Sequence, residues 1–284
     1  MKNFKVKEGV YVPDMGLTYD EKDPYVRMYK PTYDRVCKVD EHYPFVDNSL
    51  KYRFLTCTMH LLVLNFAERI YLRLNTGLRF KGRTILKKYK KELAGGYISI
   101  ANHTLPHDCE SVLLAIGAKH TVKIPMFQKN FETSNQFWLK VVGGIPIPPA
   151  EEGLSAMKKF NEAFDEFHRR GYCFHIFPEM SKWPYYTPLR PFQKGAFTMA
   201  YKYQMPILPC AITYRERTGI FKLFGKANEP LVTVEIGEPI FPDKSQPRKQ
   251  DVERMLQESH ASMRNMMGII ENPWPASADD LPKE

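Results

Sequence analysis

Hydrophobic positions change their spacing along the chain, and each spacing predicts a kind of element. In residues 151–170, large apolar side chains recur every three or four positions and Gly171 closes the pattern, which predicts an amphipathic helix. Because strands and helices alternate, we expect an α/β domain with functional residues at the carboxyl ends of strands. Helices are also predicted at 87–91, 108–116, 195–203 and 252–270, and strands at 78–81, 97–101, 143–147, 172–177, 207–214 and 231–236.

The most hydrophobic stretch, residues 54–74, predicts a helix with one broad apolar face and cations near both ends. No uncharged apolar run reaches the length of about 18 residues that marks a membrane-spanning helix. The interior charges of Glu68 and Arg69 instead favour a monotopic helix that lies in the bilayer interface. A core-packing helix of a soluble domain is the alternative interpretation.

These patterns divide the chain into four parts. Residues 1–50 carry many Tyr, Pro and charged residues without a sustained period, which predicts an irregular extension wrapped on the domain. The amphipathic helix at 51–76 and the folded domain at 77–271 follow, and residues 272–284 are expected to form a loose, Pro-rich tail. The first residues lack the apolar core of a signal peptide.

Composition restricts the environment of the protein more than its function. The chain has 41 Lys and Arg against 32 Asp and Glu, a net charge of +9, which suits nucleic acid, anionic lipid headgroups or phosphorylated substrates. The basic residues are dispersed and form no recognised RNA-binding motif, so nucleic acid is disfavoured. The five cysteines include no C-x-x-C pair, so neither a disulfide framework nor a zinc site is expected, and a reducing cytosolic environment is favoured.

The segment N-H-T-L-P-H-D follows a predicted strand and places His103 five residues before Asp108. Pro106 disfavours a continuous helix here, so a bent turn can bring the carboxylate back to the imidazole. A carboxylate on one ring nitrogen sets the tautomer and leaves the other nitrogen to take a proton from an alcohol. The spacing alone is weak evidence, because a His and an Asp that cap a helix are a simpler interpretation. His107 is the rival base, although it is adjacent to the aspartate and less easily oriented by it.

Three further blocks follow this segment in order. Residues 143–148 read G-G-I-P-I-P, residues 177–182 read F-P-E-M-S-K, and residues 205–210 read M-P-I-L-P-C. Together with N-H-x4-D, they closely resemble the glycerolipid acyltransferase family, whose best-known members are 1-acyl-glycerol-3-phosphate acyltransferases. The resemblance covers about residues 78–242. It implies an α/β fold with a mixed central sheet flanked by helices, preceded here by the amphipathic, membrane-associating helix.

The resemblance also implies roles for individual residues. His103 is implied to be the general base, Asp108 its partner, and Glu179 a residue that helps to hold a glycerol-phosphate acceptor. The other acceptor-binding residues predicted from the matching blocks are Gly144, Ser181, Lys182, Arg190 and Lys194.

Departures from the family blocks weaken the expected phosphate site. Pro148 or Pro149 stands where the family has Asp-Arg, and Lys182 replaces the Arg of F-P-E-G-T-R. A lysine neutralises a phosphate as a point charge rather than as a bidentate fork. Arg190 and Lys194 are candidates to compensate, because F-Q-K-G-A resembles the family's F-K-K-G-A segment.

The predicted reaction moves a fatty acyl group from acyl-CoA or an acyl carrier protein to the hydroxyl of a lysophospholipid, with 1-acyl-glycerol-3-phosphate as the first candidate. We expect no metal or other cofactor, since the thiolate is a good leaving group, and attachment to the cytoplasmic face of the cell membrane. Apolar residues between 124 and 138, including Met126, Phe127 and Phe137, are either an acyl-chain channel or ordinary core.

Three alternatives stay open. The acceptor can be another lysolipid or an amino-acid-linked lipid, which the missing family arginine favours. A hydrolase using the same histidine is weakly supported, because the chain has no G-x-S-x-G nucleophile elbow. A non-catalytic lipid-binding protein at the membrane surface is the alternative from another class.

Overall fold

A seven-stranded sheet forms the centre of the protein in the computed structural model, which describes residues 3–28, 32–226 and 228–282. Its strands in chain order are β2 (Arg79–Lys81), β3 (Ile98–Ala101), β4 (Val122–Phe127), β5 (Gly144–Ile147), β6 (Cys173–Ile176), β7 (Ile207–Arg215) and β8 (Leu231–Ile236). Their order across the sheet is β2-β8-β7-β3-β6-β4-β5. A separate two-stranded sheet pairs β1 (Lys5–Val6) with β9 (Ile269–Glu271).

The sheet is mixed, as the sequence predicts. β7 and β8 run antiparallel, and the other neighbouring strands run parallel. Ile98 of β3 lies opposite both Phe174 of β6 and Ile207 of β7. The segments that leave the carboxyl ends of β3 and β6, beginning at Asn102 and Phe177, therefore meet at one edge of the sheet.

Helices cover both faces of the sheet. They are α1 (Leu50–Thr58), α2 (Arg69–Asn75), α3 (Arg83–Lys88), α4 (Asp108–Ile116), α5 (Gln136–Val141), α6 (Gly153–Arg169), α7 (Gly195–Tyr203) and α8 (Arg248–Met266). Side chains of α6, α7 and α8 form one core with the sheet, and α4 forms the other with Leu64 and Leu72. The predicted bounds of α4, α7 and β8 are confirmed, because their apolar patterns are unbroken.

Two predicted helices differ from the structure. The helix predicted over 252–270 ends at Met266, because Gly268 has a φ of +67°, and Ile269 and Ile270 belong to β9. The helix predicted at 87–91 lies earlier, in α3, and its last residues form turns instead.

Strand β4 escaped the sequence analysis because Lys123 and Pro125 interrupt its apolar pattern. The strand pairs with β6 at Val122 and Lys123, and with β5 from Ile124 onward. Pro125 lacks an N–H and lies beyond the stretch paired with β6, where the missing donor costs least.

Residues 50–75 are helical throughout, with α1 and α2 joined by a π-helical stretch, Met59–Glu68. The predicted helix is therefore present. Leu64 and Leu72 are buried, whereas most large apolar side chains face outward: Leu50, Phe54, Leu61, Leu62, Phe66, Ile70, Tyr71 and Leu74. Across the described ranges, we find no helix whose length and hydropathy would let it cross a bilayer. Association of this segment with a membrane stays a prediction.

The described parts of the N-terminal extension, residues 3–28 and 32–47, are irregular apart from β1 and lie against the domain. Cys37, Val39 and Phe45 are buried in the core shared with α6, and the rings of Phe45 and Phe160 meet edge to face at 5.8 Å. The parts of the predicted extension and tail at 1–2, 29–31 and 283–284 lie outside the described residues.

Candidate active site

His103 and Asp108 form a hydrogen-bonded pair at the carboxyl end of β3. Asp108 is the first residue of α4, and the turn before it brings its Oδ2 to 2.6 Å from His103 Nδ1. The structure thus joins the aspartate to His103 rather than to the rival His107. This is the arrangement in which a carboxylate orients a histidine for general-base work.

The Asp108 carboxylate is buried but well supplied with donors. Its Oδ2 accepts hydrogen bonds from the N–H of Thr104 at 3.0 Å and of Leu105 at 3.3 Å. Burial acts to raise the pKa of Asp108, but His103, the charge of Lys182 and the Leu105 N–H together hold that pKa below its usual value. The carboxylate is therefore ionised at neutral pH and can fix the imidazole tautomer.

The His103 ring is held by stacking on its face as well as by the hydrogen bond from its Nδ1 to Asp108. It stacks on Phe177 with a centroid distance of 4.1 Å and an interplanar angle of 14°. Its side chain stays 22% exposed, and Nε2 makes no hydrogen bond with any residue that the structure describes. One ring nitrogen is thus committed to the aspartate, and the other is available to a substrate.

The segment after β6, residues 177–191, holds the backbone of His103 on both sides, and we call it the catalytic loop. Glu179 Oε2 accepts a hydrogen bond from the His103 N–H at 2.8 Å, and the Trp183 N–H donates to the His103 carbonyl at 3.0 Å. The N–H of Tyr185 donates to the carbonyl of the next residue at 2.9 Å. The position of His103 therefore depends on this loop as much as on β3.

Glu179 and Arg190 form a buried ion pair behind His103, with side chains 3% and 1% exposed. Arg190 Nη2 lies 3.1 Å from Glu179 Oε2, and Glu179 Oε1 accepts from the Arg190 N–H at 2.8 Å. Arg190 Nη1 donates to Ser181 Oγ and to the carbonyl of Pro24, both at 2.8 Å. Three residues predicted to bind the acceptor thus contact one another. Their role in acceptor binding stays a prediction, and their visible role is to support the histidine.

The two predicted lysines occupy different surroundings. Lys182 is half-buried, and its charge adds to the effect of His103 in lowering the pKa of Asp108. The ammonium of Lys194 instead pairs with Glu253 at 2.8 Å and Asp279 at 2.7 Å. Lys182 is therefore the predicted cation that lies near the catalytic pair.

Gly144 does not join the other predicted site residues. It lies in β5, the edge strand, opposite Ile124, three strands away from β3. A Cβ at this position would lie 2.7 Å from the Leu139 carbonyl oxygen and 3.1 Å from the Met126 sulfur. Close packing explains the glycine, and its predicted role in substrate binding stays untested.

Met180 stands where the resembling family has glycine, and the backbone shows why glycine suits this position. Its φ is +63°, in the left-handed region that side chains with a Cβ disfavour. A non-glycine residue there costs about 1 kcal/mol. The departure from the family motif therefore keeps the turn but adds strain beside Glu179.

Two polar contacts at the site have no clear signal in the sequence. Asn102 Nδ2 donates to the Ile212 carbonyl at 3.1 Å, and its Oδ1 accepts from the Ile212 N–H at 2.7 Å. Its amide thus extends the pairing of β3 with β7. The hydroxyls of Thr104 and Tyr214 are hydrogen-bonded to each other. Both contacts depend on strands far apart in the chain, so only the fold reveals them.

His107 links the site to the exposed helical segment. Its Nδ1 lies 3.2 Å from the Glu68 carboxylate, and its ring meets that of Tyr71 at 5.7 Å. The hydrogen bond with Glu68 is the main reason that the pKa of His107 is raised. The rival histidine is therefore engaged with the helix rather than with Asp108.

Other chemistry finds little support at this edge of the sheet. Burial raises the pKa of the Cys109 thiol well above its usual value, so this cysteine is not an activated nucleophile. Within 3–28, 32–226 and 228–282, no group of three or more His, Cys, Asp or Glu side chains is placed to hold a metal ion.

Comparison with known proteins identifies a family for the middle of the chain. Residues 78–213, which contain the catalytic pair and the catalytic loop, match the family described as Acyltransferase. The chain is also similar to the crystal structure of the 1-acyl-sn-glycerophosphate (LPA) acyltransferase PlsC from Thermotoga maritima, with 19% identity, a TM-score of 0.48, and coverage of 76% of this chain and 84% of that chain. None of the curated proteins matches the sequence significantly. Residues 78–213 thus carry an acyltransferase domain, which supports the glycerolipid acyltransferase family predicted from the sequence blocks.

Proposed function

We propose that the protein transfers a fatty acyl group from a thioester of coenzyme A or acyl carrier protein to the hydroxyl of a lysophospholipid. The first candidate acceptor is 1-acyl-glycerol-3-phosphate, which would give phosphatidic acid. The observation that carries the proposal is the His103–Asp108 pair inside the acyltransferase domain, with Nδ1 on the carboxylate and Nε2 available to an alcohol.

His103 acts as the general base in this reaction. As the acceptor oxygen attacks the thioester carbonyl, Nε2 takes the hydroxyl proton, and the ionised Asp108 stabilises the imidazolium. The new C–O bond forms, the C–S bond breaks when the tetrahedral intermediate collapses, and the proton passes to the departing thiolate. Atoms and charge balance without a covalent enzyme intermediate.

Recognition of the acceptor's phosphate is assigned to Lys182. The charge of Lys182 acts on Asp108 and so lies near the base, whereas Arg190 is buried behind Glu179 and the Lys194 ammonium lies against Glu253 and Asp279. A single ammonium suits a phosphate less specifically than an arginine fork does. For this reason another lysolipid or an amino-acid-linked lipid remains the alternative acceptor.

We further propose that residues 50–75 lie in the membrane interface on the cytoplasmic side. Their exposed apolar side chains, such as Phe54, Leu61 and Phe66, are 74%, 63% and 65% exposed to water, and such a face is stabilised by burial among acyl chains. The His107–Glu68 contact connects this segment to the start of α4, next to the base. A lipid acceptor and the site would then share one surface.

The decisive test is lipid mass spectrometry of purified protein with a panel of lysolipid acceptors and either thioester donor. We expect turnover of lysophosphatidic acid, and a loss of about 1,000-fold or more in kcat for His103→Ala and for Asp108→Asn. His107→Gln is the matched control, and it should keep activity within about tenfold because this histidine does not touch Asp108.

Circular dichroism must show that each variant is folded. Unimpaired turnover in His103→Ala would remove His103 from the mechanism. Binding to anionic vesicles without turnover of any acceptor would favour the non-catalytic lipid-binding alternative.

A further inference from the structure

The N-terminal extension reaches the catalytic loop through residues 19–26, which we call the strap. Two tyrosines attach its ends. The Tyr19 hydroxyl donates to the Pro184 carbonyl at 2.7 Å, and the Tyr25 hydroxyl donates to the Pro191 carbonyl at 3.4 Å. The strap thus touches the loop near its middle and at its end.

The backbone of the strap supplies two further contacts. The Pro24 carbonyl accepts a hydrogen bond from Arg190 Nη1 at 2.8 Å, and the Val26 carbonyl accepts from Trp183 Nε1 at 2.9 Å. The Tyr19 ring also stacks on Trp183, with centroids 5.6 Å apart. Two large, fully buried side chains of the catalytic loop therefore have partners on the strap.

The same two loop residues lead directly to the base. The backbone N–H of Trp183 donates to the His103 carbonyl. Arg190 is hydrogen-bonded to Glu179, which accepts from the His103 N–H. The His103 carbonyl is thus connected to the strap through one residue, Trp183, and the His103 N–H through two, Glu179 and Arg190.

The catalytic loop has a reason to need external support. Met180 and Tyr185 have φ values of +63° and +59°, and neither is a glycine. Backbone in such conformations persists only where surrounding contacts over-determine it. Tyr185 also donates its N–H to the carbonyl of Thr104, so relaxation of the loop would move the residues beside the base.

We propose that the strap is a positioning element of the active site. It holds the catalytic loop in the conformation with positive φ at Met180 and Tyr185, and it thereby keeps the His103 side chain correctly placed for the substrate. Tyr19 and Tyr25 are positioning residues and touch no reacting atom. The effect on turnover rests on the acyl transfer proposed above. The effect on the loop does not, because it concerns only hydrogen bonds within the protein.

The test compares two double variants of the full chain. Tyr19→Ala with Tyr25→Ala removes both attachments, whereas Tyr11→Ala with Tyr33→Ala removes two tyrosines of the same extension that are 37% and 43% exposed. A milder pair, Tyr19→Phe with Tyr25→Phe, keeps the rings and removes only the two hydroxyl hydrogen bonds. It keeps the test decisive if the alanine pair does not fold.

Amide hydrogen exchange and steady-state kinetics are the two readouts. In the Tyr19/Tyr25 alanine variant, we expect exchange at Trp183 and Tyr185 to quicken at least tenfold. We also expect kcat to fall about 100-fold with KM within about threefold, because a small displacement of a base lowers the rate more than it lowers binding. The phenylalanine pair should fall between this variant and the Tyr11/Tyr33 control, which should match the native protein.

Unchanged exchange in the catalytic loop would overturn the proposal, and so would equal losses in the two alanine variants. If the native protein turned over no acceptor, faster exchange at Trp183 and Tyr185 would still support the structural part, while the proposed function alone would fail. If the fall in kcat were no larger than the fraction of protein that is unfolded, the strap would stabilise the fold in general and would not position the active site.

Discussion

The two segments that precede the sheet use their side chains in opposite ways. The extension at residues 3–47 is rich in polar and charged residues, yet its strap is joined to the buried catalytic loop through main-chain carbonyls and tyrosine hydroxyls. The helical segment at 50–75 is rich in Leu, Ile and Phe, yet it exposes most of them. In these two segments, the hydrophobicity of a side chain therefore does not predict whether it is buried.

The difference between the two segments follows from the groups that each one contacts. Arg190 and Trp183 present donors that need acceptors, so a polar segment satisfies them better than an apolar one would. The helical segment buries only its inner row of side chains, including Leu64 and Leu72, against the core around α4. Its outer row stays exposed, and an exposed apolar face of this kind is the reason that we propose a membrane there.

The largest expected effect comes from removing the buried ion pair between Arg190 and Glu179, which lies between the strap and His103. Arg190→Met leaves the buried Glu179 carboxylate without its cation, which should lower the free energy of unfolding by about 4 kcal/mol. Urea denaturation measures the change. Lys5→Met is the control, since its ion pair with Glu271 is exposed and should contribute less than about 1 kcal/mol. A change below that of the control would mean that the strap and loop are held by packing alone.

The helical segment offers an internal contrast between its inner and outer rows. Leu64 is 1% exposed and Leu61 is 63% exposed, so Leu64→Ala should cost about 3 kcal/mol of stability and Leu61→Ala almost none. For binding to anionic vesicles we expect the reverse, with a larger loss for Leu61→Ala than for Leu64→Ala. Replacing Leu61, Leu62 and Phe66 together with Ser should weaken sedimentation with vesicles by about 100-fold or more, because three apolar side chains no longer enter the lipid.

Equal vesicle binding by the native and triple-Ser proteins would contradict interfacial attachment of this segment. Loss of folded protein in the triple variant would show instead that the outer row is part of the core.

A smaller effect is expected at Lys123, a buried cation without the ion pair that Arg190 has. Its ammonium lies 5.7 Å from the Tyr52 ring of α1 and 5.1 Å from the Phe167 ring, and none of the described residues accepts a hydrogen bond from it. Burial, with a contribution from the charge of Arg170, lowers the pKa of Lys123 to about 8. Lys123→Met should therefore raise the free energy of unfolding by about 2 kcal/mol at pH 7.

The pH dependence gives the sign of this effect. The folded pKa lies below the unfolded value of about 10.4, so the unfolded chain binds more protons between these pH values and native stability rises with pH there. The advantage of Lys123→Met should be complete below pH 8 and fade as the pH approaches the unfolded value. An advantage that did not change with pH would assign it to packing rather than to charge. Thermal unfolding from pH 6 to pH 10 makes the measurement.

The sequence predicted most of the sheet and its covering helices because their apolar residues repeat with the period of a helix or in compact β-prone runs. It missed β4, where Lys123 and Pro125 break the pattern, and it extended the last helix through Gly268. At the site, the pairing of His103 with Asp108 was predicted from their five-residue spacing together with the three blocks that follow in order, since the spacing alone is weak evidence. The contacts of Arg190 did not follow from any motif.

The sequence by itself determined the order of the elements, the close spacing of His103 and Asp108 around the turn at Pro106, and the presence of an apolar helical stretch, because these depend on neighbours within a few positions. Only the tertiary structure decided that residues 177–191 contact both sides of the His103 backbone and that the strap contacts this loop. The physical reason is that each of these contacts has a main-chain carbonyl or N–H group as at least one partner. Every residue carries a carbonyl and almost every residue an N–H, so their partners leave no mark in the sequence.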